Sequence, residues 1–205
     1  MIKYSNEVWA VIPARSGSKS IRNKNIKKFA GKPLLAHSIL IAKRLKKIKK
    51  IVFSSDSVNY YRIARKFGKL IFHKRSKMDS SDNATDFDLF NSMILFLIKK
   101  KEILPEFLVH LRPTTPIRKK AHIEKAISIL KKNKKKYDSL RSINSMSQTS
   151  YKTLRIVNKK LCGIKKIDFD MDKFNLPRKK YQNTYEANGI VDIYKTKNII
   201  KGYLM

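Results

Sequence analysis

Between Ala14 and Asn25 the chain sets four cations, Arg15, Lys19, Arg22 and Lys24, among Ser16, Gly17, Ser18 and Ser20. Small side chains let a backbone come close to an anion, and the cations neutralise it, so phosphate is the natural guest of such a segment. Neither common phosphate-loop pattern is present: G-x-x-x-x-G-K-[ST] and G-x-G-x-x-G are both absent. Other groups able to do chemistry are Asp56, Arg75, Asp82, Asp86, Arg112, Lys152, Arg178 and Asp192. Several have a plainer reading when taken singly. Asp56, in S-D-S-V, and Asp82 and Asp86, ahead of a periodic apolar run, stand where helix caps stand. Lys152 and Arg178 read as surface cations, Asp192 as a hydrogen-bonded carboxylate inside an apolar strand, and His37 as packing.

The elements that must position these groups show in the apolar pattern. Val8–Ile12, Ile51–Ser54, Leu70–Phe72 and Phe107–Leu111 read as strands buried on both faces. Pro33–Leu45, Val58–Phe67, Phe87–Lys99 and Ala121–Leu130 carry apolar residues at helical spacing, as in Leu35, Ile39 and Ala42. Strand–helix alternation of this kind predicts an α/β fold with a mostly parallel central sheet and right-handed crossovers. Ligands of such sheets sit beyond the carboxyl ends of the strands, where the Ala14–Asn25 segment falls. From about Tyr137 the rhythm changes. Ser139–Ile143, Thr153–Val157, Leu161–Ile164 and Gly189–Tyr194 read as strands, with a hairpin through N-K-K at 158–160. The 205 residues are expected to form a single domain, 1–205, with a small β-hairpin extension at about 139–175.

Composition excludes some classes of protein. Cys162 stands alone, which rules out an intrachain disulfide and a cysteine-based zinc site and fits a reducing cytoplasm. The opening residues lack the apolar core of a secretion signal, and no window approaches a membrane span. The formal charge of +33 raises a nucleic-acid reading. Against it, lysine far outnumbers arginine, the lysine runs are scattered along the chain, and no aromatics interleave as stacking platforms. No specific nucleic-acid partner and no membrane is expected; on either view of the charge, a small anionic substrate is drawn in.

The string I-P-A-R-S-G-S-K-S-I-R-N-K-N-I-K-K-F-A-G-K-P-L-L, from Ile12, resembles the signature of the acylneuraminate cytidylyltransferase family, the synthetases of CMP-sialic, CMP-legionaminic and CMP-pseudaminic acids. F-S-S-D-S at 53–57, K-R-S-K-M-D-S-S-D-N-A-T-D at 74–86 and L-R-P-T-T-P-I-R at 111–118 are similar to further family segments. So are S-M-S-Q-T-S-Y-K-T-L-R-I at 145–156 and P-R-K-K-Y-Q-N-T-Y-E-A-N-G-I-V-D-I-Y at 177–194. The resemblance implies a Rossmann-like nucleotidyltransferase of the nucleotide-diphospho-sugar transferase type. It implies transfer of CMP from CTP to the anomeric hydroxyl of a nonulosonic acid with release of pyrophosphate, a Mg²⁺ cofactor and a homodimer built from the hairpin region.

Residue by residue, the resemblance places Ala14, Arg15, Ser18, Lys24, Asn25, Arg75 and Asp86 at the nucleotide, with Arg15 and Lys24 catalytic. It places Arg112, Lys152, Arg178 and Asn188 at the sugar acid. Two positions depart from the pattern: Arg112 replaces a glutamine of Q-P-T-S-P-L-R, and Glu186 an arginine of R-x-N-G-A-I-Y. A later I-D-x-x-x-D-like cluster, which in the family helps hold Mg²⁺, is not reached by Met205. Mg²⁺ is therefore expected on the triphosphate, with Asp192 and Asp56 as the protein candidates. Alternatives are a cytidylyltransferase for the eight-carbon acid 3-deoxy-manno-octulosonate, an inactive sugar-nucleotide binding protein and, on charge alone, a nucleic-acid-associated protein.

Overall fold

A computed structural model describes residues 2–164 and 171–205. The strands are β1 (Val8–Pro13), β2 (Lys28–Phe29), β3 (Lys32–Pro33), β4 (Ile48–Ser55), β5 (Ile71–Lys74), β6 (Phe107–His110), β7 (Ser139–Ser145), β8 (Leu154–Val157), β9 (Lys160–Gly163) and β10 (Tyr185–Lys195). The helices are α1 (Leu34–Arg44), α2 (Val58–Ala64), α3 (Asp86–Lys99), α4 (Lys120–Lys132), α5 (Met171–Asn175) and α6 (Thr196–Ile200).

Six strands form one sheet in the order β5-β4-β1-β6-β10-β7. β4 is parallel to β1 and β5, and β6 is parallel to β1, whereas β10 runs antiparallel to β6. The alternation within V-W-A-V-I explains the layering. Val8, Ala10 and Ile12 face one apolar cluster, with Leu35 and Ile39 of α1 and Ile123 and Ile127 of α4. Trp9 and Val11 face the other, with Phe90, Met93 and Leu97 of α3 and Ile199 of α6. A strand buried on both faces must be apolar throughout, and β1 is.

From β1 the chain winds outward through β4 and β5, then returns past β1 to lay down β6 on its other side. The carboxyl ends of β1 and β6 therefore border the switch point, where side chains from two diverging loops leave a crevice.

The chain divides into two compact units, one made of residues up to Ser142 and from Gly189 onward, the other of Ile143–Asn188. β7 and β10 each begin in one unit and end in the other. The second unit holds the β8–β9 hairpin, whose two-residue turn places Asn158 and Lys159 at φ 50° and 62°. Both central residues of a type I′ turn need positive φ, which suits Asn and strains Lys. Ala30 and Gly31, at φ 45° and 77°, turn β2 into β3 in the same way. Residues 165–170 of the extension expected at about 139–175 lie outside the described residues.

Candidate active site

The phosphate-type segment leaves β1 at Pro13 and is held from below by its neighbour strand. The Ala14 amide donates to Ser54 O at 2.9 Å, and the Ser55 hydroxyl donates to Ala14 O at 2.6 Å. Asp56, at the end of β4, accepts from the Ser16 amide at 2.8 Å and from its hydroxyl at 2.6 Å. Asn25, nearly buried, donates to Arg15 O at 2.9 Å. Ala14 and Asp56 thus shape the loop rather than extend into the space above it, whereas Asn25 braces the loop and also borders that space. The plainer expectation for Asp56 is corrected here: the cap of α2 is Ser57, whose hydroxyl accepts from the Tyr60 amide, and the carboxylate is spent on the loop. Likewise α3 is capped by Thr85, in a reciprocal box with Asp88, not by Asp82 or Asp86.

Above this loop lies a cleft of about 410 Å³ lined by residues that include Arg15, Ser18, Lys24, Asn25, Arg75, Asp86, His110 and Arg112. The structure brings together every residue expected at the nucleotide except Ala14, which lies under the loop, and it adds Arg112. Lys24 and Ser18 have no side-chain partner among the described residues. Arg15 pairs with Asp82 at 3.0 Å and donates to Ser81 O at 2.9 Å; Lys19 reaches the same Asp82 at 2.6 Å. That carboxylate, flanked by two cations of the loop, lines the same cleft.

Arg75 comes from just past β5, 9% exposed, and donates to Asp79 O while its Nε has no partner. Burial lowers the pKa of its guanidinium, and Asp56, Asp79 and Asp86 oppose that shift. His110, wholly buried at the end of β6, has both ring nitrogens unpaired and lies 4.0 Å from Asp86. Burial, reinforced by Arg112, keeps it neutral.

Arg112 itself is clamped, with Nη2 on Asp86 at 2.5 Å and Nη1 on Asp192 at 2.6 Å. Asp192 is buried on β10 and also accepts from Arg141 Nε at 2.9 Å. Burial would raise its pKa, but the hydrogen bonds from the two guanidinium groups outweigh that and hold it below the usual carboxylate range. Arg118, which no site reading of the sequence singled out, is a fastener: it donates to Ile190 O at 2.6 Å and to Arg112 O at 2.7 Å. Its place at the end of L-R-P-T-T-P-I-R was the available signal. Gly189, within β10, has φ 67°, and a Cβ there would lie 2.9 Å from Thr115 Oγ1, so a side chain would be both strained and crowded.

Within the second unit, Lys152 and Arg178 line a pocket of about 420 Å³ with Thr149, Leu154, Phe174 and Asn175. Arg178 donates to Met146 O at 2.8 Å, and Asn188 Nδ2 donates to Asn144 Oδ1 at 2.8 Å. Two of the residues expected at the sugar thus share one pocket of this unit, and Asn188 belongs to the same unit.

A family model described as cytidylyltransferase matches residues 9–200. The chain belongs to the cytidylyltransferase family. Over 126 residues, 60% of the chain, it is 36% identical to the CMP-N,N'-diacetyllegionaminic acid synthase of Legionella pneumophila, covering 53% of that protein. Over 144 residues, 70% of the chain, it is 31% identical to an N-acylneuraminate cytidylyltransferase of Escherichia coli, covering 33% of that protein. The chain therefore spans about half or less of the length of the curated relatives it matches. In fold it is similar to a CMP:2-keto-3-deoxy-manno-octonic acid synthetase solved with CTP, with a TM-score of 0.67 at 14% identity, covering 95% of this chain and 76% of the other. The fold is that of a nucleotidyltransferase, with a mostly parallel central sheet and a small antiparallel hairpin. No helix among the described residues is long and apolar enough to cross a membrane.

Proposed function

We propose that this cytidylyltransferase-family chain transfers CMP from CTP to the anomeric hydroxyl of a nonulosonic acid. The hydroxyl oxygen attacks the α-phosphorus, the bond from that phosphorus to the bridging oxygen breaks, and pyrophosphate leaves with the electron pair while the hydroxyl proton passes to solvent. The observation that carries this reading is the cleft at the β1–β6 switch point, which collects Arg15, Lys24, Arg75 and Arg112 around an anion-sized space. Lys24, unpaired, and Arg15, on release from Asp82, would neutralise charge growing on the leaving pyrophosphate. Catalysis is then mostly positioning and electrostatic stabilisation. Arg75 and Ser18 would hold the nucleotide. Arg112 in the cleft would orient the acid; for Lys152, Arg178 and Asn188 of the second unit, the same role rests on the family motifs alone.

Relatives more than 30% identical are named for nine-carbon acids, which favours that class over the octulosonate. The octonic acid synthetase is similar in fold alone, at 14% identity. A homodimer and a cytoplasmic location are part of the same reading.

A protein-held magnesium site does not fit these residues. No group of three His, Cys, Asp or Glu among the described residues could hold a metal. Asp56 is bonded to Ser16, Asp82 to Arg15 and Lys19, and Asp192 to Arg112 and Arg141. A Mg²⁺ ion would travel with the triphosphate.

The test is pyrophosphate release with CTP, ATP, GTP and UTP against sialic, legionaminic, pseudaminic and octulosonic acids. Release with CTP and a nine-carbon acid is expected. Release with the octulosonate alone would move the chain to the rival substrate, and none with any acid would leave a sugar-nucleotide binding protein.

A further inference from the structure

Arg112 stands where the family pattern has glutamine, and a third departure, beside Glu186, is Asp192, the fifth residue of N-G-I-V-D, where N-G-A-I-Y has tyrosine. The structure joins the departures at Arg112 and Asp192 through an ion pair. Asp192, 2% exposed, lies opposite His110 across the β6–β10 ladder and receives Arg112 Nη1 at 2.6 Å. Arg141 backs the same carboxylate, with Nε at 2.9 Å and Nη2 at 3.4 Å. Asp86 holds the other arm of Arg112 at 2.5 Å.

A guanidinium has five N–H donors in a rigid fork. Two of those of Arg112 are taken by the clamp, and the remaining three have no partner among the described residues. The side chain is 26% exposed and lines the cleft. The two carboxylates and the two guanidinium groups cancel in charge, so an approaching anion meets no net repulsion. Unlike a glutamine, the fork can only donate, so its ligand must bring acceptors: two oxygens of a carboxylate or phosphate match it. The phosphates already have Arg15 and Lys24. Of Arg15, Lys24, Arg75 and Arg112 in this cleft, Arg112 alone has not been given to the nucleotide, so the carboxylate of the acid substrate is the group it is left to meet.

Resting on the proposed reaction, the geometry points to Asp192 as a positioning residue that, with Asp86 and Arg141 behind it, fixes Arg112 as the reader of the acid substrate's carboxylate. Asp192 is not a catalytic residue in this assignment; it acts through Arg112.

The experiment measures KM and kcat for the acid, for the carboxamide of the same sugar and for CTP in the wild type, Asp192→Asn, Arg112→Gln and the double variant. Thermal melts serve as the folding control. Asp192→Asn should raise KM for the acid about tenfold, with KM for CTP within about threefold, and should lower the preference for acid over amide. Arg112→Gln should do the same. The double variant should be no worse than Arg112→Gln alone, since both changes remove one device. Equal losses with acid and amide, or additive losses in the double variant, would overturn the assignment and leave Asp192 a purely structural anion. If Asp192→Asn does not fold, the acid-to-amide ratio of Arg112→Gln decides by itself: an unchanged ratio overturns the proposal. A wild type inert with every acid would overturn the reaction itself and this inference with it, whereas an active wild type with unaffected variants would overturn only the inference.

Discussion

Lys24 and Arg15 differ in what each must give up to meet a phosphate. The Lys24 ammonium has no partner to lose among the described residues, and Arg15 must leave Asp82. Both changes to alanine should still lower kcat/KM by about tenfold or more, the scale of ~1.4 kcal/mol of transition-state stabilisation. Kinetics like the wild type's in both variants would remove the loop from the reaction. A second residue-scale prediction concerns His73, buried on β5 with Nδ1 2.9 Å from Ser54 Oγ. Burial, aided by Arg75, lowers its pKa from 6.5 to about 4. A histidine held neutral in the fold contributes stability above its unfolded pKa and loses it as pH falls towards the folded one. The loss should reach roughly 2 kcal/mol by pH 5 and ~3 kcal/mol near pH 4. In urea titrations, the advantage of wild type over His73→Gln should therefore shrink by about 2 kcal/mol between pH 7 and pH 5. Parallel profiles for the two proteins would refute the assignment.

Among the elements, α3 carries a local signal strong enough to test alone. Thr85 accepts from the Asp88 amide while Asp88 accepts from the Thr85 amide, satisfying two helix-end donors at once. Thr85→Ala should cost about 1 kcal/mol of unfolding free energy in urea titration. No measurable loss would mean that the helix start is held by packing of Leu89 and Phe90 instead. In the second unit, Lys152→Ala and Arg178→Ala should each raise KM for the acid and leave CTP affinity within about threefold. A large loss of CTP affinity with unchanged acid kinetics would reverse that division. The elements were legible because their causes are local. Buried strands are apolar end to end, and the period of α1, α3 and α4 locates each within a few residues. At α2 the expectation of a helix to Phe67 ran past the α-helical turns, since Arg65–Phe67 tightens to a 3-10 turn. The site was legible as a set of residues in ordered motifs, but its pairings were not. Arg112 meets Asp86 and Asp192 across 26 and 80 residues. Those contacts depend on the order β1-β6-β10 and on ladder register, which no local pattern encodes.

At the scale of the whole molecule the dominant fact is charge: 48 Lys and Arg against 15 Asp and Glu, a formal +33. Even if every acid were paired, 33 cations would remain to repel one another in the folded state more than in an expanded chain. Self-repulsion of this kind is screened over about 10 Å at 0.1 M ionic strength and over ~3 Å at 1 M. The same field draws anions into the cleft, and that attraction is screened as well. Added salt should therefore act with opposite signs on two observables. From 0.05 to 0.5 M NaCl the melting temperature should rise, by roughly 2–8 °C if the relief is about 1–2 kcal/mol. Over the same range the affinity for CTP should fall. Calorimetric melts and CTP titrations in one salt series check both at once. A melting temperature that falls with salt would mean that surface pairs such as Lys50–Glu102 and Lys134–Glu106 outweigh the repulsion. Affinity for CTP that ignores salt would place its recognition in contacts other than the loop cations. Affinity for duplex DNA that dropped more steeply with salt than affinity for CTP would show several phosphates engaged at once, and only then would the charge point to a nucleic-acid partner.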